Sequence, residues 1–164
     1  MRSGRLTVWF LVLAVAAMAC CPALAAAATL KVHVINYPVA VTLLPAGDEE
    51  GHALVLVRRE GEAVLDSGEK ARYSTVFSVD IRRAKGGSSQ GYTRFDFADG
   101  SRIVISWAAA VGIGADGLSR TTGQGRVVAG AGRFADIDGT CAFTAKEEKS
   151  GAIVADAELS YTLP

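Results

Sequence analysis

The sequence is short of the residues that staple, ligate and catalyse. Its 164 residues include three cysteines, two histidines, two methionines and four prolines, and aromatics make up 7%. Cys20 and Cys21 fall in an apolar N-terminal stretch, which leaves Cys141 alone in the remainder. An intrachain disulfide is excluded there, and a lone cysteine in an apolar strand reads as a small core residue. His33 and His52 are too few and too far apart to suggest zinc. No metal and no cofactor are expected. Charge of one sign is missing too. Seventeen basic residues face seventeen acidic ones without a long run of either, so nucleic acid is not an expected partner.

Long apolar runs are confined to the start. Arg2 and Arg5 precede an apolar stretch from Leu6 to Cys21, and Ala23-Leu24-Ala25 follows as a small-residue cleavage pattern. Residues 1–28 therefore read as a helical secretory signal peptide, and residues 29–164 as the single exported domain, periplasmic or secreted. The alternative is a lipoprotein anchored through Cys20, because Ala17-Met18-Ala19-Cys20 weakly resembles a lipobox. No second run could span a bilayer after cleavage, and the loss of Arg2 and Arg5 leaves a formal charge of −2.

Helical periodicity is almost absent after residue 28. Alternating, β-rich runs recur instead: 30–37, 53–59, 73–84, 92–98, 101–113, 119–129, 140–147 and 152–163, with turn residues between them. Leu30, Val32, Val34 and Asn36 share one face of the first run. Tyr73, Thr75, Phe77, Val79 and Ile81 share a face of the third. Residues 38–52 look irregular. In FDFADGSRIVIS, Asp99-Gly100 reads as a two-residue hairpin turn that sets Phe97 opposite Arg102 and Phe95 opposite Val104. That register leaves both faces of the hairpin apolar, as a barrel wall between a core and a neighbour would be.

Three motifs carry possible chemistry. GAGRFA (130–135) matches a dinucleotide fingerprint, but a strand-like DIDGTCAFTA follows where a helix is required. Asp136, Asp138, Thr140 and Glu147 have EF-hand spacing, but Cys141 stands where glycine is needed. GSSQG (87–91) matches a nucleophile elbow, yet a strand follows it and both histidines precede Ser89. The first two read as turn structure and the third as a polar hairpin loop. The reversal at Gly139 is expected to need a positive φ, with Gly87 less demanding.

The order of GYTRFDFADGSRIVISW and VVAGAGRFADIDGTCAFTA resembles the bacterial allene-oxide-cyclase-barrel-like proteins, exported relatives in fold of plant allene oxide cyclases and dirigent proteins. Gly130, Gly132, Arg133, Phe134, Ile137, Gly139 and Phe143 carry the likeness, and Cys141 departs from it. The resemblance covers about residues 50–163. It implies an all-β fold, a single eight-stranded antiparallel barrel of the calycin type, whose interior is just wide enough for side chains or one small ligand. The function expected is binding of a small apolar ligand, with Phe95, Phe97, Trp107, Phe134 and Phe143 as lining candidates. The alternatives are a cyclase or isomerase acting on a lipid-derived substrate, and a non-catalytic oligomer (trimer or dimer). Enzymatic activity is left open, and no residue is assigned as catalytic. Arg94, Asp96 and Glu158 are the candidate polar groups of a lumen.

Overall fold

The structure, a computed structural model, describes residues 27–83 and 85–164. The expected leader, with Cys20, lies outside the described residues apart from Ala27 and Ala28. Eight strands follow in chain order: β1 (Ala28–Pro45), β2 (His52–Leu65), β3 (Lys70–Arg82), β4 (Gly86–Phe97), β5 (Arg102–Ile113), β6 (Ser119–Ala131), β7 (Asp138–Glu147) and β8 (Ile153–Thr162). Each pairs antiparallel with the next, and β1 returns to β8 to close the barrel. The expected all-β barrel of eight antiparallel strands is what forms.

Period-two alternation sorts the wall into inside and outside. On β1, Val32, Val34 and Asn36 are buried while Lys31, His33 and Ile35 are exposed. On β4, Thr93, Phe95 and Phe97 are buried, and on β5 Ile103 and Ile105 join them. The turn between β4 and β5 differs from expectation. Phe97 and Ser101 oppose each other, through Phe97 N–H to Ser101 O at 2.9 Å, and the loop holds three residues, Ala98-Asp99-Gly100. Gly100 takes the left-handed conformation at φ 83°, as the last residue of such a loop requires. The extra residue shifts the register by one, so Phe95 meets Ile103 and Asp96 meets Arg102. Phe95, Phe97, Ile103, Ile105 and Trp107 then share the inner face, and the outer face carries Arg94, Asp96 and Arg102. The two apolar faces were a consequence of the wrong register.

Two further stretches depart from expectation: of residues 38–52, expected to be irregular, 38–45 are strand and only 46–51 form a loop, and GSSQG, expected to be a polar hairpin loop, is strand. β1 continues to Pro45 with a bulge between Pro38 and Ala40, pairing with β2 throughout. Its pairing with β8 stops at Asn36, so the segment beyond stands as an edge. GSSQG lies within β4, paired to both β3 and β5, and is not a loop.

An antiparallel meander puts alternate turns at the same end. At one end Arg133, in the β6–β7 turn, pairs with Glu69 of the β2–β3 turn at 2.6 and 2.7 Å and with Asp99 of the β4–β5 turn at 3.2 Å. Its guanidinium lies 4.7 Å from the Phe97 ring centre and 4.8 Å from that of Phe134. Phe134 belongs to a single 3-10 turn, Gly132–Phe134, and is packed against Phe97 and Tyr161. With Leu65, Ala71, Ile137 and Leu159 these residues form the dense core that seals this end. GAGRFA is therefore a plug, and Asp138 and Glu147 of the supposed metal loop stand at opposite ends of β7. Gly139 does not have a positive φ; Asp136 does, at 57°. Gly139 matters for close approach instead, because a Cβ there would lie 2.5 Å from Ser160 O.

Candidate functional site: the barrel lumen

Above the sealed core the barrel is hollow. A cavity of about 350 Å³ runs toward the end bearing the β1–β2, β3–β4, β5–β6 and β7–β8 loops. Its wall is chiefly apolar. Phe77, Trp107 and Phe143 form an aromatic side, with ring centres 5.5 Å apart from Phe77 to Trp107 and 5.5 Å from Trp107 to Phe143. Valines and isoleucines of β2, β3, β5 and β8 complete it. Val41, 58% exposed, stands at the mouth on the unclosed part of β1. The volume falls within the lower range of small-molecule pockets.

A few polar groups interrupt this wall. Trp107 Nε1–H donates to Thr93 Oγ1 at 3.0 Å, Thr93 donates to Thr75 Oγ1 at 3.1 Å, and Thr75 donates to Tyr92 O at 3.0 Å. The chain satisfies each hydroxyl in turn. Burial pushes the Tyr73 phenol up, against the opposing influence of Thr93 and Thr75. Burial likewise pushes the Cys141 thiol up to about 11, so it stays protonated and unreactive at neutral pH. Ser89 is buried, faces the lumen, and its Oγ has no hydrogen-bond partner among the described residues. Arg59 is 7% exposed and also faces the lumen. Its Nε donates to Asn36 Oδ1 at 2.6 Å, and its Nη2 donates to Asn36 O at 3.2 Å and Gly151 O at 2.7 Å. Glu147 accepts from Ser119 N–H at 3.2 Å and Ser119 Oγ–H at 3.0 Å.

Of the candidate lining residues, Phe95, Trp107 and Phe143 border the cavity. Phe97 and Phe134 belong to the plug beneath it; Phe97 touches only a void of about 20 Å³. The three candidate polar residues lie outside. Asp96 on the outer face is ion-paired with Arg94 at 2.8 Å and Arg102 at 2.7 Å. Burial works against its charge, but the Arg102 hydrogen bond and the Arg94 charge outweigh it and hold the carboxyl below its usual range. Glu158 is exposed and borders an open groove on the outer wall. Alternation makes this placement necessary, since a wall that turns Phe95 and Phe97 inward turns Arg94 and Asp96 outward.

Sequence reasoning missed Arg59, Tyr73, Phe77 and Ser89 as lumen residues. For Tyr73 and Phe77 the signal was present, because both share the face of Thr75, Val79 and Ile81. For Arg59 it was absent. Ala53, Val55 and Val57 lead to Arg59 while Leu54 and Leu56 lead to Arg58, so both faces of β2 begin apolar.

No protein-family model matches the chain, and no curated protein matches it. Its barrel resembles the solved structure of the pterocarpan synthase dirigent protein PsPTS1 at TM-score 0.52 and 9% identity, over 84% of this chain and 95% of that one. The pterocarpan synthase dirigent protein GePTS1 gives 0.48 at 12% identity, over 84% and 86%. The first likeness is one of fold: the chain is a small eight-stranded barrel resembling those of dirigent proteins.

Proposed function

We propose that this is an exported barrel that binds a small apolar ligand in its lumen. The observation that carries the reading is the cavity of about 350 Å³ walled by Phe77, Trp107, Phe143 and aliphatic side chains. A closed barrel with no ligand to hold has no need of it, since packing the space would add dispersion contacts and stability. Kinship with bacterial allene-oxide-cyclase-barrel-like proteins belongs to the same reading and rests on the motif order in the sequence.

Trp107 is the only tryptophan outside the leader and it borders the cavity, so its emission reports occupancy. Titration of residues 29–164 with decanol is expected to give a saturable change in that emission. Ala155→Phe, which fills the lumen from β8, is expected to abolish it. A wild-type emission that does not saturate, or one that the variant leaves untouched, overturns the reading.

The cyclase or isomerase alternative looked to Arg94, Asp96 and Glu158 for a polar group in the lumen. All three face outward, which removes that support. Self-association has an observation of its own. Tyr37, Val39, Val41, Leu43 and Leu44 on the β1 extension, with Leu54 and Leu56 of β2, are exposed apolar residues on one hairpin. Sedimentation is expected to show a concentration-dependent oligomer, and a strict monomer at high micromolar concentration removes this second reading.

A further inference from the structure

Arg59 is an arginine enclosed in an apolar barrel without an ion pair among the described residues. Its side chain is held from two sides by Asn36 and by the carbonyl of Gly151, and those three hydrogen bonds occupy Nε and Nη2. The described residues offer Nη1 no acceptor. Among the residues bordering the cavity Arg59 is the one cation and Glu147 the one carboxylate. Glu147 forms no ion pair with it, and its Oε2 is engaged by Ser119.

A guanidinium drawn out of water is costly unless its donors and its charge are met. Here the fold meets the donors of one edge, which fixes the group in position, and leaves the other edge without a partner. A planar fork held this way matches a carboxylate. A doubly charged group such as a phosphate fits less well, because a single cation faces it and Glu147 shares the same lumen.

We propose that Arg59 is the anion subsite of the lumen, and that the ligand is an apolar molecule carrying one carboxylate. This rests on the lumen-binding reading and narrows it. The tail lies against Phe77, Trp107 and Phe143, and the carboxylate accepts from Nη1 of Arg59. Asn36 acts as a positioning residue, since its amide oxygen and its carbonyl both hold the guanidinium.

The test compares decanoate with decanol, two probes of the same chain length, by Trp107 emission. At pH 7 decanoate is expected to bind roughly ten-fold or more tightly than decanol, the range of one charge-assisted hydrogen bond. Arg59→Gln is expected to remove that preference while decanol still binds. Decanol that saturates with decanoate no tighter overturns the subsite and leaves lumen binding standing. If decanol does not saturate, the lumen reading fails and takes the subsite with it. Arg59→Gln also loses contacts to Asn36 and Gly151, so a wild-type measurement guards against a misfolded variant. Lowering the pH through the carboxylate range, roughly 4–5, is expected to erase the preference for decanoate while decanol affinity holds. A preference that survives protonation of the probe overturns the proposal.

Discussion

At the scale of single residues, the lumen contains a hydroxyl whose present state opposes folding. Ser89 is buried with its Oγ unpartnered. Leaving a buried hydroxyl without a partner costs about 1–3 kcal/mol. Ser89→Ala removes the hydroxyl and nearly keeps the volume, so the ligand-free protein is expected to gain up to about 1 kcal/mol. Urea midpoints measure it, and a lower midpoint for the variant would mean that Ser89 has a partner when the protein is in water. Glycines give a second comparison. A Cβ on Gly87 would collide with Asp80 O, and one on Gly139 would lie 2.5 Å from Ser160 O. In both cases the obstacle is the backbone of the neighbouring strand, which cannot rotate away. Gly87→Ala is therefore expected to cost at least about 1 kcal/mol, as overpacking does, and to match or exceed Gly139→Ala. This reverses the order that turn chemistry alone suggests, and paired denaturation curves decide it.

At the scale of elements, fold class was legible and register was not. Eight alternating runs separated by turn residues leave little besides a barrel or sandwich. Asp-Gly, however, serves both a two-residue turn and the end of a three-residue loop, and only the pairing of Phe97 with Ser101 tells them apart. That one-residue ambiguity decided whether the hairpin had one apolar face or two. It also obscured a constraint present in the sequence: Phe95 and Phe97 cannot share a lumen with Arg94 and Asp96. Register is likewise what selects Arg59 over Arg58, and it depends on β1 and β3 rather than on β2 itself. The GRFADI segment was legible as turn structure but not as a plug, because the ion pairs that define its role come from two distant turns. Phe134→Ala removes the ring that packs on Phe97 and Tyr161 and supports Arg133. A loss of about 3–5 kcal/mol is expected from thermal or urea unfolding.

The opposite end has its own clasp, and it responds to pH. His52 at the start of β2 bridges two carboxylates, with Nδ1 2.5 Å from Asp48 Oδ1 and Nε2 2.8 Å from Asp80 Oδ1. The Asp80 hydrogen bond, followed by that of Asp48, raises its pKa above the usual 6.5. A raised histidine contributes fully below its unfolded pKa and loses that contribution as the pH climbs through the folded one. The loop 46–51 is therefore expected to be held more firmly at pH 6 than at pH 8.5. An NMR titration of the His52 ring should give a midpoint above that of the unfolded chain, and His52→Gln should remove the pH dependence of the loop's amide protection factors, the exchange rates taken relative to those of the unfolded chain at each pH. A midpoint at or below the unfolded value would show that the two carboxylates do not act together on the ring.

At the scale of the whole molecule, the barrel is two halves of unlike construction sharing one set of strands. The lower half is filled by Val32, Val34, Phe95, Phe97, Ile103, Ile105, Phe134 and Leu159 and clamped by Arg133 across three turns. The upper half encloses the lumen, so its inward side chains lack partners on one side and forfeit part of their dispersion attraction. Closure weakens toward the same end, because β1 loses β8 beyond Asn36 and continues on β2 alone. Stability is thus expected to fall along the barrel axis, with local opening at the mouth far easier than global unfolding. Native-state hydrogen exchange reads this directly. Amides of Val32, Val34, Ile103 and Ile105 are expected to exchange only through global unfolding, and those of Val39 to Leu43 through local fraying that denaturant barely accelerates. A ligand in the lumen should slow exchange around Phe77, Trp107 and Phe143 most, because it supplies the contacts those side chains lack. At a hundred-fold excess over its dissociation constant it should also raise global stability by about 2.7 kcal/mol. Protection that is uniform along the axis without ligand would mean that the hollow half is held as firmly as the filled one, and that the lumen is not kept open at the expense of packing.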